Sequence, residues 1–234
     1  MRFIRHLLPL PCLCGSLVVI AGVALPAGAQ ATAPNEWTWV GGSMLLDTDD
    51  GQPGVYGTLG MPTAGSTPGG RFGASSAAGG DGHFWLFGGQ GYDGKGNWSM
   101  LDDLWAFSPA TNEWAWMSGP SVMPDQSGDY YQLGIYGKLG SFAAGNVPGS
   151  RIRPLSWVDG DGNFWLFGGY GCDETGIGYL NDLWEFNPST REWEWIGGSS
   201  TTGSNGGQSG VYGTLGMPDP GKYSRRTLRC LWLD

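Results

Sequence analysis

Histidine is nearly absent from this chain of 234 residues: only His6 and His83 occur. A metal centre built from several histidines is thereby excluded. Positive charge is also scarce, with 12 Lys and Arg against 21 Asp and Glu and a net charge of −9. Nucleic acids and anionic membrane surfaces both demand a basic footprint, so neither is expected as a partner. Charged residues of either sign amount to only 14%. Long apolar runs are missing except near the N-terminus, where Pro9 and Pro11 shorten the stretch from Leu7 to Leu25. The uninterrupted part, about 14 residues, falls short of the ~20 that a spanning helix needs.

That stretch has another use. Arg2 and Arg5 give a basic start, the apolar run follows, and Ala27-Gly28-Ala29 has the small-residue pattern of a cleavage site. Residues 1–29 are therefore expected to be a secretory signal peptide, which makes the chain secreted, periplasmic or displayed at the cell surface. No membrane contact is expected after cleavage. Removing two arginines leaves 12 − 2 = 10 basic residues against 21 acidic ones, a net charge of −11. Cysteine is sparse too. Cys12 and Cys14 lie in the signal, so Cys172 and Cys230 remain. An exported chain can oxidise them. They occupy different positions of the repeat described next, and whether they pair stays open.

Glycine and tryptophan are abundant instead, at 44 and 13 residues. Many aromatics without a low-complexity tract argue against disorder and for short strands joined by tight turns. The order of these residues repeats. Asp81-Gly-His-Phe-Trp-Leu-Phe-Gly-Gly89 returns as Asp161-Gly-Asn-Phe-Trp-Leu-Phe-Gly-Gly169. Leu101-Asp-Asp-Leu-Trp-Ala-Phe-Ser-Pro109 returns as Leu180-Asn-Asp-Leu-Trp-Glu-Phe-Asn-Pro188. Asn112-Glu-Trp-Ala-Trp116 matches Arg191-Glu-Trp-Glu-Trp195 and Asn35-Glu-Trp-Thr-Trp39. A fixed period marks a repeat architecture. It also sorts side chains: one that returns in each unit is structural, whereas a catalytic group is needed once.

Each unit divides into four strand candidates. Strand a begins near Arg71 and Arg151, strand b covers 83–87 and 163–167, strand c 104–107 and 183–186, and strand d 113–117 and 192–196. Asp81-Gly82 and Asp161-Gly162 signal tight hairpins before strand b. Strand b is apolar on both faces, which requires cover on both. Strand d alternates Trp114 and Trp116 with Glu113 and Ala115, the pattern of a half-solvated outer strand. Between units lies a long segment that also recurs, as Gly54-Val-Tyr-Gly-Thr-Leu-Gly60, Gly134-Ile-Tyr-Gly-Lys-Leu-Gly140 and Gly210-Val-Tyr-Gly-Thr-Leu-Gly216. Its Tyr and Leu favour a packed loop.

This combination resembles the kelch repeat: an arginine-led strand, an aromatic strand ending in Gly-Gly, an Asp-Leu-Trp strand and a Glu-Trp strand. The resemblance implies an all-β fold, a kelch-type β-propeller of four-stranded antiparallel blades, as in the galactose-oxidase-like and kelch propellers. Two blades are expected, 69–117 and 149–196, with a lone outer strand at 35–40 and a truncated start of a further blade at 219–234. Propellers need ~4–8 blades, so 30–234 is expected to be a fragment with an incomplete ring. Either the C-terminus is natural or a truncation or frame change produced it, and the sequence leaves that open. Trp85, Phe87, Trp165 and Phe167 are expected to line uncovered end faces and to promote self-association. Structural positions carried by the repeat are Gly88, Gly89, Trp105 and Trp114, and Gly168, Gly169, Trp184 and Trp193.

Catalytic chemistry is hard to find. His83 is replaced by Asn163 in the second unit, an ordinary strand-edge position. Galactose-oxidase-like enzymes hold copper with two histidines and tyrosines, a set that one histidine cannot supply, so no metal, cofactor or catalytic residue is expected here. Asp47-Thr-Asp-Asp-Gly51 resembles a calcium loop, but Thr58 occupies its twelfth position and excludes an EF-hand; looser calcium binding stays open. Asn97-Trp98-Ser99 fits a glycosylation sequon. The paired Arg71/Arg151, Asp103/Asp182 and Glu113/Glu192 read as buried hydrogen-bonding groups. The b–c and d–a loops share one end of a blade, and Tyr92, Trp98, Tyr130, Tyr131 and Tyr179 are the candidate binding residues there, Tyr92 and Trp98 within a loop at 90–100. They bind a protein or a glycan, or they pack the loops together.

The reading is an exported kelch-type propeller that acts as a binding or scaffold module without catalysis. The alternative is the N-terminal fragment of a secreted galactose-oxidase-like or carbohydrate-active enzyme whose catalytic residues lie outside this sequence. Export makes one direct prediction. N-terminal sequencing of the secreted protein should give Gln30 or a residue within a few positions of it, and a product beginning at Met1 would refute cleavage.

Overall fold

A computed structural model describes residues 38–44, 51–204, 206–215 and 217. The chain divides into two units, Met1–Trp39 and Val40–Asp234. Of the first, only Thr38 and Trp39 are described, in irregular backbone. Of the outer strand expected at 35–40, Thr38, Trp39 and Val40 thus form no strand. The signal segment, the calcium-like residues 47–50, the blade start at 219–234 and Cys230 all lie outside the described residues.

The described part of the second unit is all β, with no helix. In chain order its strands are β1 (Pro62–Thr63), β2 (Arg71–Phe72), β3 (Ser75–Ala78), β4 (Phe84–Tyr92), β5 (Trp98–Ser108) and β6 (Glu113–Ser118). They continue with β7 (Asp125–Gln126), β8 (Asp129–Tyr130), β9 (Arg151–Ile152), β10 (Leu155–Val158), β11 (Phe164–Cys172), β12 (Ile177–Asn187) and β13 (Glu192–Gly197). Two sheets result, neither closed into a barrel. The first runs β1-β6-β5-β4, with β2 and β3 both on the free edge of β4. The second runs β10-β11-β12-β13, with β9 also on β11. All these pairings are antiparallel; β8 joins the first sheet through one parallel bridge, Ser99 to Tyr130.

The double glycine does not end strand b. It forms a bulge in the middle of it, with a register shift between Phe87 and Gly89 and again between Phe167 and Gly169. Gly88 and Gly89 have φ of 62° and 95°, and Gly168 and Gly169 of 63° and 97°, which L side chains reach only at a cost. A Cβ on Gly89 would also stand 2.8 Å from the Phe72 carbonyl oxygen and 2.9 Å from the Ala74 nitrogen. The bulge therefore nests where strand a breaks between β2 and β3. Pairing resumes beyond it, from Gly89–Leu101 to Tyr92–Trp98. The loop expected at 90–100 shrinks to residues 93–97, and Tyr92 and Trp98 stand on strands.

Inside each sheet one buried cluster ties the strands together. Arg71 donates to both carboxylate oxygens of Asp103 at 2.5 and 2.8 Å, and to the carbonyls of Gly69 and Gly88. The Trp105 indole and the Tyr56 hydroxyl each donate to Asp103 at 2.6 Å. Arg151, Asp182, Trp184 and Tyr136 repeat the arrangement, with Arg151 to Asp182 at 2.7 and 2.9 Å. Tyr56 and Tyr136, the recurring tyrosines of the long segment, pack on Trp105 and Trp184 as well. The recurring leucines do not follow them inward: Leu59 and Leu139 are exposed. Glu113 and Glu192 are half-exposed at the sheet margin rather than buried, while Glu185 and Glu194 are buried.

The sheets stack face to face. Trp85 and Phe87 of β4 meet Phe164, Phe186 and Trp193 of the second sheet, with ring centroids 5.6–6.4 Å apart. Ala77, Ala106 and Ala115 lie on the same face of the first sheet, so the side of β6 expected to face water is covered at Ala115. Trp85 and Phe87 are accordingly core residues, not an end face. The outward faces expose Phe84 on the first sheet and Leu155 and Phe167 on the second, while Trp165 is buried against Trp157.

One group in this interface is poorly satisfied. Asp102 of β5 is 2% exposed, and neither carboxylate oxygen has a hydrogen-bond partner. Burial, then the charge of Asp103, raises its pKa well above the usual carboxylate range. A carboxyl whose folded pKa exceeds its unfolded value contributes its stability at low pH and loses it as pH rises. Asp102→Asn, which installs the residue found at the equivalent Asn181, should raise stability at pH 7 by on the order of 1–3 kcal/mol. Thermal melts should show the gain shrinking as pH falls toward 3.8; a gain independent of pH would place the origin elsewhere.

Candidate functional site

The five aromatic candidates separate into three places. Tyr92 ends β4 and Trp98 begins β5, directly paired, with ring centroids 5.1 Å apart and planes at 69°. Phe72 of β2 joins them from the neighbouring strand, 6.2 Å from Trp98 with planes at 32°. Phe72 is 49% and Trp98 48% exposed. Tyr179 stands on β12 of the second sheet, 5.2 Å from Tyr170. Tyr130 is brought alongside β5 at Ser99, and Tyr131 follows it, both half-buried.

Phe72 was absent from the sequence-derived candidates. A signal for it existed: the residue after the strand-a arginine is aromatic in one unit and Ile152 in the other. The same comparison holds across the cluster. Phe72, Tyr92 and Trp98 correspond, strand position by strand position, to Ile152, Cys172 and Ile177. The scaffold is duplicated, but among the described residues this aromatic set occurs in the first unit alone. Cys172 is fully buried there, and burial, then the charge of Asp102, pushes its thiol up to about 12.

The cluster walls a cleft of about 540 Å³, within the ~300–1,000 Å³ typical of small-molecule sites. Its other wall is the long segment before β2, contributing Gln52, Pro53, Val55 and Pro68. Backbone bonds hold that segment in place: Val55 and Thr67 exchange a pair at 2.9 and 3.0 Å, and the Gly70 N–H donates to Gln52 at 2.8 Å. The Gly54 N–H donates to the Asp93 carbonyl at 3.1 Å. Asp93 is itself buried and accepts from the N–H groups of Lys95, Asn97 and Met123, fixing the short turn between Tyr92 and Trp98. The Asn97 side-chain amide also donates to Asp93 at 2.9 Å, so the sequon amide is committed to the turn.

Electrostatically the cleft is close to neutral. Arg71 lines it, but its guanidinium is paired with Asp103. Burial opposes the charged form of Asp103, yet Arg71 together with the hydrogen bonds from Trp105 and Tyr56 holds the carboxyl below its ordinary value. His83 lies elsewhere, in the exposed hairpin, with its ring 2.8 Å from Asp81. Among the described residues no group of three or more His, Cys, Asp or Glu is placed to hold a metal ion.

No family model and no curated protein matches the chain. Among solved structures it is similar to that of YjhT, at 21% identity and a TM-score of 0.37. The similarity covers 57% of this chain and spans 39% of the other.

The cleft depends on a glycine. Gly51 is buried, and a Cβ there would overlap the Tyr92 ring. Gly51→Ala should therefore displace Tyr92, at a cost of about 1–3 kcal/mol. Near-ultraviolet circular dichroism should lose part of its Tyr and Trp signal while the β spectrum persists; an unchanged aromatic signal would contradict this packing.

Proposed function

We propose that this chain forms kelch-type blades of a β-propeller, is exported, and serves as a protein- or glycan-binding scaffold module with no catalysis of its own. The duplicated unit supports the propeller reading. Each copy gives a four-stranded meander with the same Arg, Asp, Trp and Tyr cluster, and the two stack face to face as neighbouring blades do. The acidic balance and the signal-like N-terminus support export. Phe84, Leu155 and Phe167, apolar and exposed on the outward faces, make self-association part of the same reading.

One observation carries the binding role. A neutral cleft walled by Phe72, Tyr92 and Trp98 stands in the first unit, and its aromatic set is not repeated at the equivalent positions of the second. Side chains repeated in both units maintain the fold, whereas Phe72, Tyr92 and Trp98 are unnecessary for it, because Ile152, Cys172 and Ile177 serve at the same positions. Exposed aromatics on a rigid support are the usual currency of recognition.

The test compares wild type with Trp98→Ala on an immobilised library of glycans and peptides. Retention that depends on Trp98, with the retained ligands chemically unchanged by mass spectrometry, is expected. Equal retention of both proteins on every ligand would overturn the binding site, and ligand turnover would overturn the non-enzymatic reading.

A further inference from the structure

The ligand class can be narrowed from the cleft itself, an inference that rests on the binding role proposed above. We propose that Phe72 and Trp98 form a stacking platform for a neutral pyranose ring of a glycan, with Tyr92 as its fixed edge.

Charge excludes the first set of rivals. The one guanidinium in the lining is held by Asp103 and by two backbone carbonyls. An anionic ligand would find no uncompensated cation, in a chain that is already acidic overall. Ring geometry excludes the second set. A quaternary ammonium needs aromatic faces spread around it, each within ≈ 6 Å of the cation. Here Trp98 touches both neighbours, with centroids 5.1 and 6.2 Å apart, which leaves no slot for a cation between the rings.

What the rings offer is surface. Phe72 and Trp98, with planes 32° apart, are both half-exposed and line the same cleft, so both offer apolar ring surface to it. Tyr92 meets Trp98 edge-on and fixes its orientation. The electron-rich π face of an aromatic ring attracts partially positive hydrogens. A pyranose presents such hydrogens on its C–H face and directs its hydroxyls outward. Ser43, Gln52 and Thr67 contribute polar groups to the lining, beside the rings. A proline-rich peptide in polyproline II form instead docks in aromatic grooves. Phe72 and Trp98 lie nearer to parallel than to edge-on, which suits the flat face of a sugar ring, and decaproline is carried through the titration as the competing ligand.

Full-length protein should be titrated with three neutral hexaoses (cellohexaose, mannohexaose and N-acetylchitohexaose), a hexagalacturonate and a decaproline peptide. Calorimetry and Trp emission supply the readouts. Saturable binding of at least one neutral hexaose, about tenfold weaker in Trp98→Ala and largely retained in Trp98→Phe, is the expected result. Trp98 is half-exposed, so the variants should fold, and His83→Ala, in the exposed hairpin away from the cleft, should bind as wild type does. Trp98-dependent binding of decaproline or hexagalacturonate without any neutral hexaose overturns the glycan inference and leaves the binding role standing. Binding of no probe by wild type overturns the glycan inference, and the library comparison then decides the binding role separately. Equal binding of a hexaose by wild type and Trp98→Ala moves the sugar site away from this cleft and also overturns the proposal.

Discussion

The buried arginine–aspartate pair is the constraint from which the rest of each sheet follows. Arg151 and Asp182 have side chains that are 0% exposed, and charges removed from water on that scale cost several kcal/mol apiece unless fully compensated. Compensation here is nearly complete. The guanidinium donates to two carboxylate oxygens and to the carbonyls of Gly149 and Gly168. Asp182 accepts further from Trp184 and Tyr136. Burial opposes the positive charge of Arg151, but Asp182 and Tyr136 together outweigh it and raise the pKa. The partners come from four elements: β9, the bulge of β11, β12 and the long preceding segment. The pair cannot form unless all four are in place, so it fixes their relative positions.

The bulge follows from the same demand. The Gly88 and Gly168 carbonyls must turn toward arginines on the adjacent strand, and only glycine holds the required positive φ while another backbone passes within 3 Å of where a Cβ would be. A bulge bends its strand and leaves a ladder interruption, which the break in strand a fills. Stacking of the sheets is a separate and less symmetric matter. Phe84, Leu86, Trp105, Phe107, Trp114 and Trp116 on the outward face of the first sheet are identical to Phe164, Leu166, Trp184, Phe186, Trp193 and Trp195 on the covered face of the second. The complementary faces differ: Ala77, Ala106 and Ala115 in the first sheet stand where the second has Trp157, Glu185 and Glu194. Small residues let the sheets approach closely. A Trp and two carboxylates at those positions give the outward face of the second sheet a different surface.

Much of this was legible in the sequence, and the limits have physical reasons. Alternation and turn chemistry located all four strands of each unit, because Asp-Gly before strand b and Pro after strand c are local signals. The extension of strands b and c past the double glycine was not legible, since a Gly-Gly pair reads equally as a strand end or as a bulge and only the Arg–Asp pair decides between them. For the same reason the sequence reads Tyr92 and Trp98 as loop residues, whereas they are a cross-strand pair. Which face of strand b is covered also escaped: Phe84-Trp-Leu-Phe87 is apolar on both sides, and the choice depends on what stacks against it. Glu113 and Glu192 recur and were read as buried. Recurrence reports a shared environment, and a sheet margin is shared as readily as a core.

The duplication explains where specificity has room to arise. Positions bound to the Arg–Asp cluster cannot change in one unit without leaving a buried charge unpaired, which is strongly destabilising. The far ends of β4 and β5 lie beyond the bulge and outside that cluster. There the first unit has a Phe, a Tyr and a Trp, and the second an Ile, a Cys and an Ile, on the same backbone with the same pairing. The Tyr92 ring needs Gly51 beneath it, so the aromatic set and the long segment that walls the cleft are matched to each other. In the second unit the buried Cys172 thiol occupies the place of that ring. The two sheets thus diverge in two separate places: on the faces, where Ala77, Ala106 and Ala115 admit a stacked neighbour, and at the far ends of β4 and β5, where the aromatic set lines the cleft.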